Sequence, residues 1–210
     1  MAEVIQLTRR RLDLAGRQAL PHASETASTT LYFDLASPYT YLVAERVERR
    51  VGGATWRPAT LQAPPPRGEQ LVAEALGRAH ALRMPLVWPE RFPARVPAAM
   101  RVATCASEHG CAGAFAVAAG RLAFCGGFDL EDPEIIAEAA AAAGLDVEEA
   151  LVAARDPRRD HQIAMVGRSI EQAGGMALPA LEHEQRLYCG EAHITAWLSQ
   201  LGALARPSAS

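Results

Sequence analysis

The chain has 210 residues, of which 50% are hydrophobic and 21% are charged, and its formal net charge is −3. This length predicts one domain, or one domain that carries a sizeable insertion. The weakly acidic balance gives no electrostatic basis for binding nucleic acid or a membrane surface. No apolar run approaches the roughly 18 residues of a membrane-spanning helix.

The residue types narrow the chemistry further. All 21 cationic residues are arginine, which excludes Schiff-base lysine catalysis and the lysine of a Walker A phosphate loop. The four cysteines contain no Cys-x-x-Cys pair, so the sequence encodes neither a dithiol redox centre nor a zinc knuckle. The histidines show no metal-ligand spacing, and we predict no metal.

Residues 1–28 carry three consecutive arginines, Arg9 to Arg11, and then a polar stretch. The segment Leu12 to Arg17 is interrupted by charges, so it cannot form the apolar core of an export signal. We predict a flexible N-terminal extension over residues 1–28 and a cytoplasmic protein.

The first ordered segment has the pattern strand, helix, strand. Leu31 to Leu35 predicts a buried strand, and Ser37-Pro38 then supplies a helix N-cap and a proline at the first helical position. A helix is predicted over residues 39–50 and a second strand over residues 54–58. This unit places a helix N-terminus at the carboxyl end of its first strand, where open α/β folds usually bind ligands.

The rest of the chain predicts a helical segment and then a second strand-containing segment. A proline-rich run at residues 63–68 marks the boundary. Two short strands around a turn and a final helix from residue 191 close the chain. Between these lie predicted helices at 69–82, 98–107, 112–125, 135–143, 147–154 and 158–173.

This order predicts an α/β, thioredoxin-like fold with an all-helical domain inserted after the second strand. Residues 29–62 and 156–204 form the discontinuous thioredoxin-like domain, and residues 63–155 form the helical insertion domain.

Several short motifs resemble a known family in their order and spacing. Residues 33–42, Phe-Asp-Leu-Ala-Ser-Pro-Tyr-Thr-Tyr-Leu, resemble the active-site entry of the DsbA-like group that contains the 2-hydroxychromene-2-carboxylate isomerases and the kappa-class glutathione transferases. In that group a Ser-Pro pair opens the first helix, where disulfide oxidoreductases carry the first cysteine of Cys-Pro-x-Cys. Weaker matches extend the resemblance over most of residues 30–202: Trp56-Arg57-Pro58, Arg91-Phe92-Pro93, Ala99-Met100-Arg101, Ala143-Gly144-Leu145-Asp146, Leu178-Pro179 and Leu187-Tyr188-Cys189-Gly190.

The resemblance implies a catalytic role for Ser37. The dipole and the unsatisfied N–H groups of a helix N-terminus favour a thiolate, and a serine hydroxyl donates one more hydrogen bond to the sulfur. Together these effects would lower the pKa of a bound thiol by about one to two units. Serine cannot exchange disulfides, so the sulfur would come from a bound thiol, which is glutathione in family members. A plain N-cap is the alternative role.

The resemblance also implies that Leu178-Pro179 is a cis peptide that faces Ser37 across a cleft, with the Leu178 backbone pairing with an extended, peptide-like thiol. A trans proline that opens an edge strand is the alternative. The glutathione contacts of the family are altered, because the usual Gly-Gln-Asp-Arg is Gly190-Glu191-Ala192-His193 here. Ala192 cannot bind the ammonium group of the ligand. Glu191 is its candidate substitute, and His193 is a further candidate contact.

Five more residues are secondary candidates. Trp88 and Phe92 are predicted to line an apolar substrate pocket between the domains, with core packing as the alternative. Asp34 and Tyr39 lie beside Ser37, and Asp34 is either an acid of the site or a hydrogen-bonding group at the strand end. Cys189 is either a reactive thiol near the cleft or a buried small hydrophobe.

We therefore predict a thiol-dependent isomerase or transferase of the 2-hydroxychromene-2-carboxylate isomerase type, with glutathione or another low-molecular-weight thiol as cofactor. The thiolate would add reversibly to an aromatic-derived small molecule and be expelled after bond rotation or ring opening. Two alternatives are a non-catalytic DsbA-like binding protein and a thiol-disulfide oxidoreductase that uses Cys189. A homodimer is one alternative for the oligomeric state. Neither nucleic acid nor a membrane is an expected partner.

Overall fold

A computed structural model describes residues 29–62, 68–93 and 95–204 of the chain. The predicted extension at residues 1–28 and all but the last residue of the proline-rich boundary run lie outside the described residues. Within them, no helix is both long enough and apolar enough to cross a membrane. The elements in chain order are β1 (Thr29–Phe33), α1 (Pro38–Arg50), β2 (Thr55–Pro58), α2 (Gly68–Leu82), α3 (Pro97–Glu108), α4 (Ala112–Phe124), α5 (Pro133–Ala143), α6 (Val147–Ala154), α7 (Arg158–Gln172), β3 (Ala180–His183), β4 (Arg186–Cys189) and α8 (Glu191–Leu204).

The inserted helices begin and end at the signals that predicted them. Asp132 and Asp146 each accept a backbone N–H at 2.9 Å, from residues 134 and 149 respectively, and thereby cap α5 and α6. Gly144 ends α5 with a φ of +76°, in the left-handed region that favours glycine. Because these signals are local, the predicted bounds of both helices agree with the observed ones to within two residues.

The four strands form one mixed sheet in the order β2-β1-β3-β4. β1 runs parallel to β2 and antiparallel to β3, and β3 pairs antiparallel with β4. Glu184 and Gln185 join β3 to β4 with φ values of 49° and 62°, as a tight hairpin turn requires. The sheet and the five helices between β2 and α7 confirm the thioredoxin-like α/β fold.

Both faces of the sheet are covered, but by different elements. Leu31 and Phe33 of β1 point into the main core, which they share with α1, α8 and the inserted helices. Tyr32, between them, points to the other face and packs in a smaller core with Ala180 and with Ile170 of α7. This alternation follows from the two-residue period of a strand, so each residue near the site can be assigned to a face.

Candidate active site at the edge of the sheet

Ser37 and Pro179 lie at the same edge of the sheet. Tyr32 near the end of β1 pairs with Ala180 at the start of the antiparallel β3. Ser37, which follows β1, and Pro179, which precedes β3, therefore lie at the same end of these two strands. The Gly190 N–H donates a hydrogen bond of 2.8 Å to the Pro179 carbonyl, which brings the start of α8 to this edge. The cis peptide bond predicted before Pro179 is confirmed.

Ser37 occupies the N-cap position of α1, but its side chain does not act as a cap. Its backbone is extended, with φ −91° and ψ 121°, Pro38 is the first helical residue, and the hydroxyl makes no capping hydrogen bond. The first turn contains no acidic residue, so the partial positive charge of this helix end is not balanced by its own side chains. In the same turn the buried Thr40 hydroxyl has no partner among the described residues.

Asp34 closes the turn that leads from β1 to Ser37. Its Oδ1 accepts the Ala36 N–H at 2.9 Å, and its carbonyl accepts the Ser37 N–H at 3.1 Å. Burial raises the pKa of Asp34 to about 6, although the hydrogen bond from Ala36 and the charge of Arg95 act in the opposite direction. Asp34 therefore makes the strand-end hydrogen bond predicted as one alternative, and it is also a carboxyl group that titrates near neutral pH.

A shallow apolar groove lies beside this turn. It is open to solvent and runs between the end of β1 and the inserted segment. Its walls provide hydrophobic contact for a flat or aliphatic group. The apolar side chains that line it include Leu35, Ala36, Phe92, Val96, Phe124 and Phe128.

Phe92 and Trp88, the two predicted pocket residues, have different positions. Phe92 lines the groove as predicted. Trp88 is not among the lining residues and packs against Phe92, with 4.4 Å between the ring centroids. The core-packing alternative therefore describes Trp88 better. The peptide bond before Pro93 is also cis, which the sequence analysis did not predict.

Glu191, the first residue of α8, is buried and paired with two arginines. Its side chain is 2% exposed, Arg46 donates to Oε1 at 3.2 Å, and Arg78 donates to Oε2 at 2.6 Å. Burial would raise the pKa of Glu191, but hydrogen bonds from Arg78 and Thr195 hold it below its ordinary value. Because both oxygens are already bonded, the predicted contact between Glu191 and the ammonium group of a ligand is corrected to a structural ion pair.

Arg78 is the residue at this edge that the sequence analysis missed. Its Nε bonds Glu191, its side chain is 39% exposed, and the hydrogen bond to Glu191 raises its pKa. One turn earlier on α2, Glu74 accepts a hydrogen bond of 3.4 Å from the Tyr39 hydroxyl. Tyr39, Glu74, Arg78 and Glu191 thus connect the first turns of α1 and α8 to α2. No sequence signal pairs Arg78 with Glu191, since the two residues belong to distant segments.

Cys189 lies on the other face of the sheet from α1. It packs with Leu178 in the smaller core around Tyr32, whereas α1 belongs to the main core. This position agrees with a small hydrophobe and separates the thiol from Ser37. The Leu178 side chain packs against the same smaller core. Its backbone N–H and carbonyl make no hydrogen bond to another backbone group of the described residues.

Ala192 and His193 are exposed in the first turn of α8. The His193 Nδ1 donates a hydrogen bond of 2.7 Å to the Cys189 carbonyl, which leaves Nε2 toward solvent. Both residues therefore lie near the Pro179 edge, and neither side chain is enclosed by the site.

Comparison with known proteins identifies the family of the chain. The sequence matches the family model of the DSBA-like thioredoxin domain over residues 29–174. The chain belongs to this family. No curated protein sequence matches the chain.

Solved structures share the DSBA-like fold at low sequence identity. 2-Hydroxychromene-2-carboxylate isomerase is 15% identical, with a TM-score of 0.68 over 85% of this chain and 96% of that chain. The cytosolic disulfide reductase DsbM from Pseudomonas aeruginosa is 17% identical, with a TM-score of 0.62 over 85% of this chain and 100% of that chain. A structure of DsbM with GSH has the same identity and a TM-score of 0.60, over 86% of this chain and 100% of that chain. These likenesses show the fold, which isomerases and disulfide reductases share.

The start of α1 in this DSBA-like domain contains a serine and no cysteine. It reads Ser37-Pro38-Tyr39-Thr40, and disulfide exchange requires a thiolate that attacks a disulfide sulfur. This helix end therefore holds a hydroxyl group where exchange would need sulfur.

Proposed function

We propose that this DSBA-like protein is a thiol-dependent isomerase or transferase of the 2-hydroxychromene-2-carboxylate isomerase type. The observation that carries the proposal is the Ser37 hydroxyl, which makes no capping bond at a helix N-terminus beside Pro179 and the apolar groove. Such a hydroxyl keeps its proton for an external acceptor. A bound thiolate receives that hydrogen bond and also gains from the helix dipole.

The edge of the sheet offers contacts for the rest of a peptide-like thiol such as glutathione. The Leu178 backbone supplies one donor and one acceptor in extended geometry. Arg78 uses Nε for Glu191, and its terminal N–H groups suit a carboxylate. We assign Arg78 to a carboxylate of the thiol, as a cationic contact in a chain that contains no lysine.

The reaction conserves atoms and regenerates the thiol. The thiolate attacks an unsaturated carbon of the substrate, so a C–S bond forms, the C=C π bond breaks and the electron pair moves to the conjugated carbonyl. Rotation about the resulting single bond follows, the π bond re-forms and the thiolate leaves. A transferase stops after the addition, when the carbon next to the carbonyl takes up a proton from solvent and the neutral adduct leaves. The thiol proton leaves to solvent before the attack and returns to the sulfur after the thiolate is expelled.

The test is titration of the purified protein with glutathione, combined with a spectrophotometric assay of 2-hydroxychromene-2-carboxylate isomerisation. Ser37→Ala should reduce turnover roughly 10–100-fold, because a hydrogen bond to a charged group contributes about 1.5–3 kcal/mol. The ultraviolet absorbance of the bound thiolate should titrate at a pKa about one unit higher in this variant. Ser199→Ala, which changes an exposed serine two turns beyond Glu191 on α8, is the matched control.

Each alternative function has its own signature in this experiment. Thiol binding without turnover of any unsaturated substrate supports the non-catalytic binding protein. Disulfide reduction that Cys189→Ser abolishes supports the oxidoreductase, which the position of Cys189 on the far sheet face disfavours. If no thiol stabilises the protein, or if Ser37→Ala leaves the thiolate pKa unchanged, the proposal is wrong.

A further inference from the structure

Three potential metal ligands meet between two inserted helices, away from the Ser37 site. Cys105 lies in the last turn of α3, His109 directly follows that helix, and Glu149 lies in the first turn of α6. The Cys105 Sγ is 3.9 Å from the His109 Nδ1 and 3.8 Å from the Glu149 Oε1, and the His109 Nε2 is 3.4 Å from the Glu149 Oε2. One ligand atom from each residue falls within a 4.8 Å group.

Local structure positions each ligand. Cys105 and His109 are four residues apart, so they lie on the same side of the helix. The Asp146 carboxylate caps α6 by accepting the Glu149 N–H at 2.9 Å, which aligns the first turn of α6. The Glu149 side chain does not complete a reciprocal capping box and instead extends toward Cys105 and His109.

Two of the separations, 3.8 Å from the Cys105 Sγ to the Glu149 Oε1 and 3.4 Å from the His109 Nε2 to the Glu149 Oε2, fit a tetrahedral metal ion. Zinc bonds of about 2.0–2.3 Å to nitrogen, oxygen and sulfur place neighbouring ligand atoms about 3.3–3.8 Å apart. The His109 Nδ1 also lies 3.0 Å from the Cys105 carbonyl. Donation of the Nδ1 proton to that carbonyl leaves the Nε2 lone pair for a metal, which is the usual orienting contact of a histidine ligand.

We propose that Cys105, His109 and Glu149 bind one divalent, zinc-like metal ion, with water as the fourth ligand. Thiolate and imidazole favour zinc or cobalt over magnesium or calcium, which prefer oxygen ligands. The nearby Arg159 guanidinium is paired with Glu108 at 2.9 Å. The ion would tie α3 to α6 and so stiffen the insertion.

Metal binding needs the Cys105 thiolate. A cysteine thiol ordinarily keeps its proton at neutral pH. When the metal–sulfur bond forms, the S–H bond breaks and the proton leaves to solvent. Calorimetry in two buffers of different ionisation enthalpy therefore detects the released proton.

The experiment uses the full chain, stripped with a chelator and titrated with Co²⁺, and in parallel with Zn²⁺. The proposal expects one ion per chain, a thiolate-to-cobalt charge-transfer band and a rise in the thermal midpoint with added zinc. His109→Gln and Glu149→Gln change exposed side chains, so both variants should fold. Each should weaken binding by at least roughly tenfold, since even outer-shell changes at metal sites cost 10–100-fold.

Matched controls are Cys111→Ser, a half-buried cysteine outside the group, and His80→Gln, an exposed histidine on α2. Both should bind cobalt as the unmodified chain does, and Cys105→Ser should lose the charge-transfer band. Absence of binding would leave only a His109–Glu149 pair and overturn the proposal. The proposal is also overturned if the thiolate-to-cobalt charge-transfer band survives in both His109→Gln and Glu149→Gln, or if it disappears in Cys111→Ser. None of these outcomes affects the proposed role of Ser37.

Discussion

Two polar groups at the same edge of the sheet have opposite environments. Glu191 at the start of α8 is buried, and both of its oxygens are bonded to arginines. Ser37 at the start of α1 makes no capping bond, and the neighbouring Thr40 hydroxyl has no partner among the described residues. A polar group whose hydrogen bonds are complete inside the protein serves stability, whereas one that is left without a partner beside a groove is suited to a ligand.

The largest expected effect on stability is at Glu191. Glu191→Gln leaves Arg46, which is 17% exposed, without its counter-charge, and breaking a buried ion pair in this way costs about 3 kcal/mol of unfolding free energy. Urea denaturation at pH 7 measures the change. Glu69→Gln on the exposed side of α2 is the matched control, and it should change little. Equal stability of the two variants would mean that the ion pairs of Glu191 do not stabilise the fold.

Asp34→Asn should stabilise the protein at pH 7 by about 1–3 kcal/mol. The pKa of Asp34 is about 6 in the folded protein, above its ordinary 3.8, so the folded state binds the proton more tightly than the unfolded state does. The contribution of Asp34 to stability is therefore full below about pH 4 and is lost as the pH rises through 6. Asparagine stays neutral and keeps an Oδ1 for the Ala36 N–H.

Urea denaturation of Asp34→Asn at pH 4 and pH 7 tests whether folding raises the pKa of Asp34. The difference in unfolding free energy between this variant and the unmodified chain should be small at pH 4 and large at pH 7. Asp132→Asn is the matched control, because Asp132 also accepts a backbone N–H two residues ahead but is exposed. Parallel pH profiles for the unmodified chain and Asp34→Asn would contradict the raised pKa.

The smallest expected effect on stability is at Ser37. Ser37→Ala should change the unfolding free energy by no more than about 0.5 kcal/mol, because its hydroxyl makes no cap bond to lose. Asp146→Ala removes a formed cap on α6 and should cost about 1 kcal/mol. If Ser37→Ala is as costly as Asp146→Ala, the hydroxyl serves as an ordinary cap. A stable Ser37→Ala protein with impaired turnover would establish the contrast with Glu191.

Much of the fold could be predicted from the sequence because its signals act over short distances along the chain. Asp132-Pro133, Gly144 and Asp146 begin and end helices through hydrogen bonds within about four residues. The order of the predicted strands and helices indicated the thioredoxin-like fold, and the resemblance of residues 33–42 and of Leu178-Pro179 to a known family predicted both halves of the candidate site.

Tertiary structure decided which of the candidate side chains are available. The pairing of Glu191 with Arg46 and Arg78, and the position of Cys189 on the far sheet face, depend on how separate elements pack. The group formed by Cys105, His109 and Glu149 likewise joins two helices. Sequence periodicity shows which face of an element is apolar, but the contacts of a polar side chain depend on distances between segments that are remote in the chain, and only the folded packing determines those distances.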